Sequence, residues 1–219
     1  MTIKAFVSRY MQSRAYLIHD GGRGIVIDPC DQEALYEAVR SEGIEIDYIF
    51  LTHEHCDHIV GMSRARETFH APVICTEACG KNLADSRMNY SRYFDAFAAV
   101  QEQFESDPTA TVEPFEETAD ETFCGSRTIQ WQGHKLELIS TPGHSPGSMC
   151  ILIDGEVMFC GDTLFKEEYT QTGFMGGSRK EFLAITEPWL RGLDGSVVVY
   201  PGHLDSFILK ERLKRKILV

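Results

Sequence analysis

The chain opens on short runs dominated by apolar residues, at positions 3–7, 15–19 and 24–28, each of strand length. Asp20-Gly21-Gly22 lies between the second and third runs and predicts a tight hairpin, because glycine adopts the positive φ angles such turns require. Asp31 is then placed to cap a helix in which Ala34, Leu35, Ala38 and Val39 share one face, with Gly43 ending it. Further helical patterning appears over 57–69, 76–83, 178–190 and 204–216. Strands alternating with helices predict an α/β fold.

Four of the apolar runs stop abruptly and lead to a histidine or aspartate. Tyr48-Ile49-Phe50-Leu51 leads to His53, and the run 136–139 leads through Thr141-Pro142-Gly143 to His144. The run 157–160 leads through Gly161 to Asp162, and Val197-Val198-Val199-Tyr200 leads through Pro201-Gly202 to His203. Loops at strand ends are where α/β proteins place their chemistry, because the sheet holds them rigid.

The densest of these loops reads His53-Glu54-His55-Cys56-Asp57-His58, nitrogen and oxygen donors suited to zinc and other first-row metals. His53 and His55, two apart on an extended segment, point the same way, whereas Asp57 and His58 begin the following helix and approach from another direction. One loop can therefore supply two adjacent ions. With His144, Asp162 and His203 the set has seven members, and Asp162 is the candidate bridge between two divalent ions, zinc by default with iron or manganese open. His19, His70 and His134 lack ligand-like neighbours and are expected to be structural or exposed.

Residues of about 84–120 break the alternation. They carry Tyr90, Tyr93 and Phe94, a helical stretch expected near 91–103, and an acidic run over 102–121; we read them as an insertion in a single domain spanning 1–219.

Composition narrows the partners. A formal net charge of −12 disfavours nucleic acid, which needs a basic surface, but not an anionic small molecule facing a metal pair. The apolar runs are too short to span a membrane, and Met1–Tyr10 has no apolar leader, so a cytoplasmic location is the expectation. Seven cysteines, odd in number and without a close pair, are expected as free thiols, with Cys56 a spectator between ligands. The basic residues Lys210, Arg212, Lys214, Arg215 and Lys216 are expected on an exposed face of the last helix. Oligomeric state is not legible.

His53-x-His55-x-Asp57-His58 followed by His144, Asp162 and His203 resembles the metallo-β-lactamase superfamily over nearly the whole chain. Thr141-Pro142-Gly143-His144-Ser145-Pro146-Gly147-Ser148 and Gly161-Asp162-Thr163-Leu164-Phe165 resemble its glyoxalase II-like hydrolases. The resemblance implies a four-layer αβ/βα sandwich with the site at one edge. It places His53, His55 and His144 on one ion, Asp57, His58 and His203 on the other, and Asp162 between them. Asp28 then matches the family's buried aspartate behind the metal loop.

The activity implied is attack of a hydroxide on an activated carbonyl, a small-molecule thioester above all, with Asp57 orienting the nucleophile. Lys166, Tyr169, Gln171, Arg179 and Lys180 are candidates to contact an anionic leaving group. Where these relatives often carry Gly-Arg-x-Asp, this chain has Thr170-Gln171-Thr172-Gly173, and only 204–219 follow His203, so hydroxyacylglutathione is not the expected substrate. The rivals within the fold are a mononuclear iron enzyme resembling persulfide dioxygenases, built on His53, His144 and Asp162, and a lactonase or phosphodiesterase.

Overall fold

The computed structural model describes residues 1–100 and 107–218. Its first sheet holds β1 Thr2–Val7, β2 Arg14–Asp20, β3 Arg23–Ile27, β4 Glu45–Phe50, β5 Val73–Thr76 and β6 Glu121–Phe123, in that spatial order. The second runs β12 Phe207–Ile208, β11 Val198–Pro201, β10 Val157–Gly161, β9 Met149–Ile153, β8 His134–Ser140 and β7 Ser126–Trp131. The predicted hairpin forms with Asp20 opposite Arg23, and Gly21 and Gly22 take φ of +56° and +83°.

Each central strand is apolar on both faces, and the two-residue period sorts its side chains between two cores. Tyr16, Ile18, Ile25, Ile27 and Phe50 of the first sheet meet Leu136, Leu138, Ile151, Ile153 and Phe159 of the second in a core between the sheets. The alternate positions Leu17, Val26 and Ile49 pack outward under α1 Glu33–Ser41 and α3 Met62–Phe69. Across the molecule, Cys150, Leu152, Met158 and Cys160 pack with Phe182, Leu190 and Leu209. Helix, sheet, sheet and helix give the four layers expected.

Several predicted helices differ in detail. α1 has Gln32, not Asp31, at its N-cap and no side-chain cap there; the Asp31 carboxylate pairs with Arg64 at 2.8 Å. Its buried face is Leu35, Tyr36 and Val39, and Ala34 is exposed. The helix expected over 57–69 is two, α2 Cys56–Ile59 and α3, parted at Gly61. The chain leaving β3 crosses there so closely that a Cβ on Gly61 would lie 2.6 Å from Pro29 O, and Gly61 N–H donates to that carbonyl at 2.9 Å. α4 Glu77–Leu83 is capped by the Thr76 hydroxyl.

In the segment read as an insertion, a 3-10 turn Ser91–Tyr93 leads into α5 Phe94–Val100; the remaining expected positions 101–103, and 102–106 of the acidic run, lie outside the described residues. The helix over 178–190 forms as α6 Arg179–Glu181, a π-helix Phe182–Thr186 and α7 Glu187–Gly192. Pro188 has no N–H for a regular helical bond, and the widened turn just before it carries the Glu187 N–H to Phe182 O instead.

The long helix expected over 204–216 is replaced by β12, pairing with β11, and the short α8 Leu209–Leu213. Pairing wins because it buries Phe207 in the outer core. Arg212, expected at the surface, is only 1% exposed and donates to the carbonyls of Glu168, Lys216 and Ile217. All seven cysteines are free, and six are buried. No described helix is long and apolar enough to cross a membrane.

Candidate metal centre

β4, in the interior of the first sheet, delivers Thr52-His53-Glu54-His55 as an extended segment, and α2 turns Asp57 and His58 back beside it. From the second sheet, the β8–β9 loop brings His144, the end of β10 brings Asp162, and the end of β11 brings His203. The seven residues predicted from sequence thus converge at one edge of the sandwich, none more than 3% exposed. Donor atoms of His53, His55 and His144 lie within 4.8 Å of one another, as do those of Asp57, His58 and His203. Asp162 stands between the two groups: its Oδ2 is 3.6 Å from His144 Nε2 and 3.5 Å from His203 Nε2, and its Oδ1 is 3.5 Å from His58 Nε2.

Hydrogen bonds behind the site decide which nitrogens face inward. His58 Nδ1 is 3.1 Å from Asp28 Oδ2, His203 Nδ1 2.8 Å from Met11 O, and His144 Nδ1 3.0 Å from Gln171 O. His53 Nδ1 is 3.1 Å from the Thr52 hydroxyl, which itself donates to Asp28 at 2.5 Å. Each of these rings commits its outer N–H to an oxygen, and so presents the Nε2 lone pair to the centre. His55 is turned differently, with Nδ1 3.0 Å from His144 Nε2.

Such an arrangement is costly on its own. His53 Nε2, both Asp57 oxygens and Asp162 Oδ1 are buried without a hydrogen-bond partner, His55 Nδ1 faces His144 Nε2 at 3.0 Å, and His58 Nε2 confronts His203 Nε2 at 3.2 Å. Buried lone pairs left facing one another call for cations between them. The donor set therefore fits two divalent ions. Asp28, although close to His53 and His58, already accepts from Thr52 N at 2.7 Å, from the Thr52 hydroxyl and from His58, and acts as a support.

The charge states of His53, His55, His144 and Asp57 agree with this donor set, whereas His58 is held protonated by its carboxylates and would give up that proton to an ion. Burial pushes the His53 and His55 pKa values well down, reinforced by neighbouring imidazoles, and burial also lowers His144. Burial would raise Asp57, but His58, His203 and His55 hold it at about 2. Burial would lower His58, but the carboxylates of Asp57, Asp162 and Asp28 pull it up to about 10.

Other supports were not legible in the sequence. Ser13 Oγ donates to Asp57 O at 2.7 Å from a loop in which Met11 and Gln12 both take positive φ, so local strain is held there by the site it braces. Glu54, buried between the ligands, accepts from Asn82 Nδ2 at 2.7 Å and Ser145 Oγ at 2.8 Å, tying α4 to the His144 loop. Thr186 Oγ1 of the π-helix donates to Pro142 O at 2.7 Å, and Phe182 lies where a Cβ on Gly143 would need to be.

The candidate substrate contacts are more dispersed. Lys166 is exposed and paired with Glu211 at 3.0 Å, and Tyr169 is exposed with the Arg212 guanidinium 5.7 Å from its ring. Gln171 reaches His144 through its main-chain oxygen, and Arg179 and Lys180 are exposed at the start of α6. The segment of about 84–120 contributes more closely: its Tyr90 and Phe97 pack against His55.

Residues 9–203 match the model of the metallo-beta-lactamase superfamily. The chain is 27% identical over 195 residues to a probable metallo-hydrolase, YqgX, of Bacillus subtilis (strain 168), covering 88% of this chain and 85% of that one. It is 28% identical over 189 residues to the hydroxyacylglutathione hydrolase of Acidiphilium cryptum (strain JF-5), covering 86% of this chain and 63% of that enzyme. Among solved structures, BLEG-1 B3 metallo-beta-lactamase superposes with a TM-score of 0.81 at 25% identity, over 98% of this chain and 97% of that one. TTHA1623 in a di-iron-bound form superposes with a TM-score of 0.69 at 25% identity, over 98% of each chain.

Proposed function

Because the chain belongs to the metallo-beta-lactamase superfamily, we propose that it is a dinuclear metal-dependent hydrolase acting on the activated carbonyl of a small-molecule thioester. His53, His55 and His144 would hold one ion, and Asp57, His58 and His203 the other. The observation that carries this reading is Asp162 Oδ2, almost equidistant from an inward nitrogen of each group. A one-ion centre on His53, His144 and Asp162 would leave both Asp57 oxygens buried and unsatisfied, so the unpartnered atoms favour two ions over that alternative.

When bound, the ions supply Lewis acidity and a water activated at neutral pH. Zinc is the ion we propose; iron has the di-iron neighbour in its favour. Asp57 accepts a hydrogen bond from the attacking water and orients it toward the carbonyl carbon. The resemblance to hydroxyacylglutathione hydrolases supports a thioester, although this chain spans 63% of the relative from Acidiphilium cryptum. Lys166, Tyr169, Gln171 and Arg179, exposed on the loop after β10 and at the start of α6, would contact an anionic leaving group.

Metal analysis of the purified protein, with assays on thioesters, lactones and phosphodiesters, tests this. The expected result is two ions per chain and preferred thioester cleavage, with Asp162→Ala losing both metal and activity. One ion per chain, or full activity in that variant, would overturn it.

A further inference from the structure

With every candidate ligand nearly sealed, a substrate reaches the centre only where the covering side chains part. The cover is aromatic. Ring centroids of Tyr90, Phe97 and Phe174 lie 5.1, 5.3 and 5.5 Å from that of His55, all edge-on, and Phe174 lies 5.4 Å from His144 as well. Tyr90 and Phe97 stack at 4.6 Å. His55 Nε2 is buried beside them without a partner.

The two sides of this cover are anchored unequally. Tyr90 stands on a pinned base: the neighbouring Asn89 carbonyl accepts from Cys56 N at 2.8 Å, and Asn89 Nδ2 donates to Leu83 O and Phe115 O. Phe174 rides on an irregular segment with Gly173, Gly176 and Gly177 around it and Met175 40% exposed. Met175 N–H donates to the Tyr90 hydroxyl at 2.5 Å, latching one side to the other.

We infer that these rings form an acyl subsite, with Phe174 as the door and Tyr90 and Phe97 as the wall, and that the group on the reacting carbonyl is apolar, preferably aryl. This rests on the thioester reading and narrows it. Aromatic faces reward a hydrocarbon or aryl group by dispersion and stacking. A hydroxylated or charged acyl group would shed its water there against three rings that return little hydrogen bonding. The polar leaving group stays outside, where Lys166 and Arg179 are exposed.

Calorimetry on the metal-loaded protein with phenylacetate and acetate, the carboxylates released from the matching thioesters, tests the subsite without turnover. Phenylacetate is expected to bind at least about tenfold tighter, the scale of discrimination an apolar pocket provides. Phe97→Ala and Phe174→Ala should each shrink that ratio several-fold, and the ratio of kcat/KM values for the two thioesters with it; Phe97→Tyr should restore both. Should Phe97→Ala fail to fold, Phe174→Ala and Phe97→Tyr decide the matter. A ratio near one in the native protein, or one unchanged by the substitutions, overturns the subsite. If the ratio holds but neither thioester is cleaved, the thioester reading falls and the apolar subsite stands.

Discussion

The two halves of the metal centre are equally buried but differently held. Around Asp57, His58 and His203 the support is polar: a carboxylate behind His58, a carbonyl behind His203 and a hydroxyl on the Asp57 backbone. Around His53, His55 and His144 it is lighter, with Thr52 and one loop carbonyl, and aromatic rings complete the enclosure. Hydrogen bonds fix direction and give little, whereas ring contacts can slide and part at smaller cost. The difference teaches that the first group is braced to grip an ion, while the second is the side at which, on the proposed reading, a substrate would enter.

The largest effect that could break this comparison is expected from Asp28→Ala. It removes a buried charge from beneath His58 and Thr52, and losing one member of such a network costs about 3–5 kcal/mol. Loss of an outer-layer partner also weakens metal binding about 10–100-fold. Thermal melts and metal titrations should show a lower melting temperature and one ion lost before the other; simultaneous loss of both would mean that the halves are not separately supported.

Gly143→Ala sharpens the other side. Gly143 has φ of +146°, and its added Cβ would meet Phe182 at 2.6 Å. Overpacking of this kind costs about 1–3 kcal/mol, and because His144 follows directly, the ion beside His53 and His55 should be the one weakened. Unchanged occupancy there would show that the Phe182 wedge is not what seats His144. The smallest effect is expected from Thr52→Val, about 1 kcal/mol by denaturant unfolding, for the loss of one hydroxyl bridging Asp28 and His53. A value near zero would mean that the two halves are not coupled through it.

The donors were legible in the sequence because each follows a strand or starts a helix, where apolar patterning announces a rigid platform. The α/β alternation was legible for the same reason, whereas the four-layer sandwich was implied only by the resemblance of the ligand motifs, and the sorting of Leu17 and Val26 against Tyr16 and Ile27 between two cores emerges in the structure. The enclosure was not legible: Phe97 and Phe174 meet at 5.5 Å from segments 77 positions apart with no shared period. Nor was the break at Gly61, where the obstacle is a distant carbonyl, or the burial of Arg212, whose partners are main-chain oxygens that composition does not reveal.

The first sheet contributes four of the converging side chains in one stretch of six residues, and the second contributes three from separate loops. Each trio of donors draws on both sheets. An ion seated in either trio would consequently be a rivet through the seam of the sandwich as well as the reagent proposed above. Stripping it would loosen the grip of one slab on the other, and the protein's resistance to heat would then follow the metal content of its surroundings.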